Sequence, residues 1–433
     1  MGPAIGVLPR RRRARAEYGA RLYAFALILF LAIMLLPGCG ADAGQGADGG
    51  AARDAASAPE AAEEVPEPPE PPELPLSVSI LCAGDVMAHK PQLAAHFDAA
   101  SGLYNFSGSF QYVKGYVSAA DLALCNLETT LGGEPYTGYP MFSSPDSLAD
   151  ALAGAGFDVA FTSNNHMLDR GGDGLRRTLG ALRAAGLQTA GSQLEGERNY
   201  LVVSAGGIGV GVVSYTYESP SVNGRRTLNG IYIKDEVRPL VNSFGFEDLD
   251  GDLAGVEAAI DGARADGAEV VVCYFHWGNE YQRAPSDSQR YIASRAAIAG
   301  ADIIFASHPH VLQGMEYLEP EPGRRVPVFY SMGNFVSNQR TETTGSMYTE
   351  QGMLAFVRLS YMKSSGEIIE AEATALPTWV DKYSSGGRNV YAIVPLAGDF
   401  AANPALAESG HYERAAAALE YCRELFGEGS LYE

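Results

Sequence analysis

From about residue 76 onward, short apolar runs alternate with longer amphipathic stretches, and nearly every run stops at a small polar cluster. The runs LSVSILCAG (76–84), DLALCN (121–126), FDVAFTS (157–163), AEVVVCYF (268–275), ADIIFAS (301–307) and VPVFYS (326–331) predict strands. Their nearly continuous apolar character is that of strands covered on both faces. Residues 107–118, SLADALAGAG, DGLRRTLGALRAAG, 252–266 and 286–299 carry helical spacing instead. LQTAG is a further short strand, and YLVVSAGGIGVGVVSYTY predicts two strands around a Gly-rich turn. GMLAFVRLSY and GEIIEAEATAL predict an antiparallel hairpin, and 411–426 a final helix. Strand and helix in alternation mean an α/β fold, layered with helices outside.

The front of the chain has a different pattern. Six arginines between Arg10 and Arg21 precede LYAFALILFLAIMLL (22–36), a stretch of fifteen almost wholly apolar residues. A spanning helix needs about 20 such residues, so the length fits the apolar region of a signal peptide. In the LLPGCG that follows, Leu36, Gly38 and Cys39 resemble the lipobox of bacterial lipoproteins, which implies lipidation of Cys39. The alternative is an uncleaved N-terminal anchor helix. Either reading places the rest outside the cytoplasm, tethered to the cell membrane. Residues 39–75 are rich in Ala, Gly, Pro and Glu and predict an extended stalk. The division expected is thus 1–38 signal peptide, 39–75 stalk, 76–400 main domain and 401–433 C-terminal helical tail.

Charge sharpens this division. The chain carries 31 Lys+Arg and 52 Asp+Glu, a net −21. Without residues 1–38, which hold six Arg and one Glu, 25 basic residues face 51 acidic ones, a charge of −26. Such a surface repels phosphate backbones and argues against nucleic acid as a partner. Beyond Cys39 the cysteines are Cys82, Cys125, Cys273 and Cys422, with no CxxC spacing; the first three lie in apolar runs and read as buried thiols.

The chemistry collects where the strands end. The clusters are Gly84–Asp85, Asn126–Glu128, Ser163–Asp169, His276–Glu280, Ser307–His310 and Ser331–Asn334. In α/β sheets the carboxyl ends of strands line the ligand crevice. Five of the seven histidines, His89, His166, His276, His308 and His310, fall just beyond such ends, whereas His96 and His411 read as ordinary surface residues. Carboxylate, amide oxygen and imidazole together suit a divalent ion of Mn, Fe or Zn type. Such an ion polarises a phosphoryl or carbonyl oxygen and lowers the pKa of a bound water.

GDVM, NLET, SNNHMLDRG, FHWGNEY, ASHPHVLQGME and YSMGNFV, in that order, resemble the CapA family, associated with poly-γ-glutamate capsule synthesis and export. The resemblance runs from about 78 to 338. Through that family's kinship with calcineurin-like metallophosphoesterases it implies a four-layer αββα sandwich. It also implies metal ligation by Asp85, Glu128, Asn165, His276, His308 and His310, with Glu128 bridging. His166 and Asp169 take the catalytic positions, the aspartate orienting the histidine. The first phosphoesterase motif is D-x-H, yet position 87 is Met. His89 is a possible replacement, and one ion or a weakly held pair is expected.

Other motifs yield to simpler readings. DLDGD (248–252) lacks the Gly and Glu of a calcium loop and reads as acidic capping of the next helix. GGIGVG (206–211) sits between strands, so a hairpin turn is expected. Asn126, Trp277, Glu280 and Asn334 are candidate substrate contacts. Trp277 and Glu280 could equally hold their loop, and Asn334 could clamp backbone. Two functions remain open: a surface-anchored component of a membrane polymer-synthesis complex, with a metal site of hydrolase or transferase type, or a non-catalytic scaffold binding a metal or an anionic polymer.

Overall fold

The computed structural model describes residues 73–432. The expected signal peptide, Cys39 and most of the stalk lie outside the described residues. Among the described residues, no helix is long and apolar enough to cross a membrane.

Two sheets face each other. The first runs Arg388–Pro395, Glu367–Ser385, Gln351–Met362, Leu76–Val86, Leu122–Leu127, Val159–Phe161 and Gln188–Ala190, with Asn334–Val336 paired to the end of Leu76–Val86. The second runs Ser243–Phe244, Ile208–Tyr217, Val270–His276, Ile303–Ser307, Arg324–Met332 and Leu312–Glu321, with Leu201–Ala205 paired to Ile208–Tyr217. Successive side chains of a strand point to opposite faces, and here both faces are buried. Val78, Ile80 and Cys82 pack between the sheets with Val270, Val272 and Tyr274. Leu81 and Ala83 point the other way, toward Val117 and Leu148 of the helices Lys114–Ala119 and Ser147–Ala155. Val271, Cys273 and Phe275 turn toward the helices Leu249–Ala265 and Asp287–Ile298. The result is the expected αββα layering. Cys82, Cys125, Cys273 and Cys422 are free, buried thiols.

The helix Tyr412–Phe426 sends Cys422 into the core between the sheets. Its Ala415, Ala418 and Leu419 pack on Trp379, Ala392 and Val394. Asp248 caps the helix Leu249–Ala265 by accepting from Gly251 N–H at 3.3 Å, and Gly206–Gly207 form the turn between Leu201–Ala205 and Ile208–Tyr217.

Residues 107–118 do not form one helix. A 3₁₀ turn, Ser107–Phe110, is followed by the separate helix Lys114–Ala119. The Asn105 carboxamide accepts from the Ser107 N–H and hydroxyl at 3.0 and 2.7 Å, fixing a turn, and Gly108 and Gly115 weaken helix continuity. His96 and His411 are half-buried rather than simple surface groups: His96 packs on Phe106, and His411 Nδ1 lies 2.8 Å from the buried Asp381.

Candidate metal centre

Parallel strands of both sheets end at one edge, and their terminal polar residues meet there. Asp85 stands beside Asn126 on one side and Asn334 on the other. That approach needs Gly84, because a Cβ there would lie 2.1 Å from the Gly333 carbonyl oxygen. Glu128 follows Leu122–Leu127, Asn165 and His166 follow Val159–Phe161, and His276 closes Val270–His276. His308 and His310 follow Ile303–Ser307 with φ of 105° and 57°. Non-glycine residues avoid that region, and such strain concentrates at functional sites.

Glu128 is the centre of the cluster. It is fully buried, and neither carboxylate oxygen has a hydrogen-bond partner. One oxygen lies 3.5 Å from His276 Nε2 and 3.7 Å from His310 Nε2. Two triads share this carboxylate, Glu128–His276–His308 and Asp85–Glu128–His310, each with ligand atoms within 4.8 Å of one another. Asn165 Oδ1 extends the first triad, 2.8 Å from His276 Nε2. In the second, Asp85 Oδ2 is 3.1 Å from His310 Nδ1. Where the sequence predicts one ion or a weakly held pair, the two groups of candidate ligands overlap at Glu128.

The electrostatics suit a cation. Burial pushes His276 down to about 3 and, with the charges of His276 and His310 added, carries His308 well below the usual histidine range. Both imidazoles are therefore neutral at pH 7 and present lone pairs. Burial would raise Asp85, but the bond to His310 and the charges of His310 and His276 bring it below its ordinary value. Burial, then the Asp85 charge, drive Glu128 well above the usual carboxylate range. A buried carboxylate with no donor is costly unless a cation meets it. These residues fit a divalent ion.

Beside the triads, His166 Nδ1 lies 2.8 Å from Asp169 Oδ2, which also accepts from Phe142 N–H at 2.6 Å. The Phe142 ring meets His166 edge-on at 4.7 Å. The imidazole is thus oriented by a carboxylate and packed on one flank.

With this geometry in place, the chain matches the family Bacterial capsule synthesis protein PGA_cap over residues 79–339. The chain belongs to that family. It is 26% identical over 272 residues to the capsule biosynthesis protein CapA of Bacillus anthracis, covering 60% of each chain. It is 29% identical over 242 residues to the PGA biosynthesis protein CapA of Bacillus subtilis, covering 53% of this chain and 57% of that one. The chain therefore spans about 60% of the length of these curated relatives. Among solved structures, the calcineurin-like phosphoesterase YfkN of B. subtilis aligns with 81% of this chain and 99% of its own at 15% identity and a TM-score of 0.40, too loose an overlay to add to the layering described above.

Within this PGA_cap chain the remaining sequence candidates separate. His89 belongs to neither triad: its Nδ1 meets Asn338 N–H at 3.3 Å and Gln92 Oε1 at 3.2 Å. Trp277, expected as a possible substrate contact, is instead fully buried. It stacks on Phe275 at 4.8 Å and donates from Nε1 to the Tyr330 carbonyl at 3.0 Å, because its strand position turns it into the helix-covered face. Asn334 is the backbone clamp, donating to the carbonyls of Thr349 at 2.8 Å and His310 at 3.2 Å. Asn126 bonds one of the candidate ligands. It is fully buried and donates to Asp85 Oδ1 at 2.8 Å, while Asn164 Nδ2 donates to its Oδ1 at 3.2 Å. Glu280 alone of the four is exposed, near enough for its charge to raise Glu128 and Tyr217.

The sequence reading missed Asn164, Tyr217 and Asn229. The Tyr217 ring is 4.7 Å from that of His308, and Asn229 Nδ2 is 3.5 Å from His166 Nδ1. Asn229 sits at φ 50° before Gly230, so the Asn-Gly pair between two short strands was the available signal.

Proposed function

We propose that this PGA_cap protein is a membrane-tethered, extracytoplasmic component of poly-γ-glutamate-type polymer production, working within a membrane synthesis complex through a divalent-metal site of phosphoesterase type. The observation that carries the metal site is Glu128, a fully buried carboxylate with both oxygens unpaired among His276, His308, His310 and Asp85. Asp85, Glu128 and His310 would hold one ion, and Glu128, Asn165, His276 and His308 its neighbour. When bound, the ion supplies Lewis-acid polarisation of a phosphoryl or carbonyl oxygen.

The chain's own residues supply the rest. Asp169 fixes the imidazole of His166 through Nδ1, so Nε2 is the atom left to give a proton to a departing oxygen. Phe142 flanks this ring and narrows its freedom. The tether is assigned to Cys39 or to the apolar run 22–36. The mature charge of −26 gives no general attraction for an anionic polymer, so any contact with one is local to the cleft.

The test is polymer production in cells carrying Asn165→Ala or His308→Ala, alongside a generic phosphodiester assay on the purified protein. The account expects loss of polymer in both variants and hydrolysis that disappears in His166→Ala. Polymer production unchanged in both variants would remove the site from the cellular role. The scaffold reading draws its support from Met87, a buried methionine where the first phosphoesterase motif has histidine. Bound metal without turnover, unaltered by His166→Ala, would favour it.

A further inference from the structure

A cavity of about 600 Å³ opens beside the centre. Tyr217 borders both: it lines the cavity, and its ring lies 4.7 Å from that of His308. Gly278 and Asn279, which also line it, lie two and three residues after His276. Phe246 also lines it, 51% exposed and braced edge-on against the buried Phe244 at 6.1 Å.

The charges around this space are largely committed. Arg226 is the one cation among the described lining residues, and it is held by Glu218 and Asp252, its Nη1 donating to Asp252 Oδ1 at 3.1 Å. Glu218 is also held by Arg238 and by the Ser243 hydroxyl at 2.6 Å. Glu247 and Asp248 add two further carboxylates, and no second lysine or arginine lines the cavity. A ligand carboxylate entering here would lose hydration and meet net negative charge. Two aromatic rings and glycine backbone instead offer apolar area to a flat group, in a space typical of small-molecule sites.

We propose that this cavity is the subsite for the uncharged, aromatic part of a small ester whose anionic group sits at the Glu128 centre. The inference rests on the metal-site reading above and deepens it. It also implies that the polyanionic polymer, with its pendant carboxylates, is not what fills this cavity.

The test compares phenylphosphonate with methylphosphonate, which share a head group, by calorimetry on the manganese-loaded protein. Phenylphosphonate is expected to bind about tenfold tighter or more, and Phe246→Ser to reduce that advantage to within about twofold, because the ring loses its apolar wall. Methylphosphonate affinity should be unchanged in Phe246→Ser, which shows that the half-exposed substitution leaves the centre folded. Equal affinity of the two probes, or an advantage that survives Phe246→Ser, overturns the subsite while leaving the metal-site reading intact. Failure of both probes to bind a protein that retains its manganese overturns the anion-binding reading and the subsite with it.

Discussion

Two buried glutamates in this molecule have opposite surroundings. Glu350 is 1% exposed and fully engaged: Arg340 Nη2 lies 3.1 Å from Oε2, Arg414 Nη2 lies 2.5 Å from Oε1, and the Thr341 N–H and hydroxyl both donate to Oε1 at 2.8 Å. Glu128 is equally buried, yet its neighbours are the imidazoles of His276, His308 and His310 and the Asp85 carboxylate, and neither of its oxygens has a hydrogen-bond partner. Glu350 shows how this fold satisfies a carboxylate when the purpose is to join the segment 337–350 to the C-terminal helix. Glu128 has been given nothing of the kind. A carboxylate left this way keeps its charge only beside a cation supplied from outside the chain.

Substituting each glutamate should break the comparison in a different direction. Glu350→Ala strands the buried Arg340 guanidinium and should cost about 3 to 5 kcal/mol in chemical denaturation, whether or not metal is present. An equal loss in Glu128→Gln in metal-free buffer would erase the distinction between the two sites. For Glu128→Gln the expected stability change appears only with metal. At a free ion concentration a hundredfold above Kd, wild type should gain about 2.7 kcal/mol that the variant lacks, and a chelator should abolish the difference.

Asn126→Ala sharpens the comparison further. It removes the 2.8 Å bond that orients Asp85 without removing a ligand, so ion affinity should fall by about 10- to 100-fold while maximal occupancy at high ion concentration is retained. Unchanged affinity in a metal titration would make Asn126 a packing residue. The smallest effect belongs to Trp277→Phe, which loses the bond to the Tyr330 carbonyl and should cost about 1 kcal/mol with ion affinity unaltered. A fall in ion affinity there would place Trp277 in the cleft after all.

The strand ends were readable because a parallel strand buried on both faces must be apolar along its length. The polar cluster at its carboxyl end then marks where it leaves the core, as at Asp85, His276 and Ser307–His310. The order of the motifs added which residues share the centre. What periodicity could not show was direction just beyond a strand. Trp277 follows His276 by one residue, and alternation turns it into the core between Phe275 and Tyr330 while His276 faces the cleft. Asn126 stays hidden for a related reason, since its partner Asp85 lies 41 residues away and only the sheet register joins them.

The strand Leu312–Glu321 was not legible either, because its burial alternates only weakly after Gln313. The excursion Ser219–Val222, Arg225–Leu228 and Ile231–Tyr232 carries strands of two to four residues, too short for local pattern to distinguish from loop. That excursion brings Asn229 to His166, so part of the site was invisible together with its scaffold.

The most direct measurement of the central claim is elemental analysis of the purified protein, washed free of loosely bound ions, for wild type and Glu128→Gln side by side. The account predicts about one to two transition-metal ions per chain in wild type and a near-complete loss in the variant. Absence of near-stoichiometric metal in wild type, or the same content in both proteins, would contradict it.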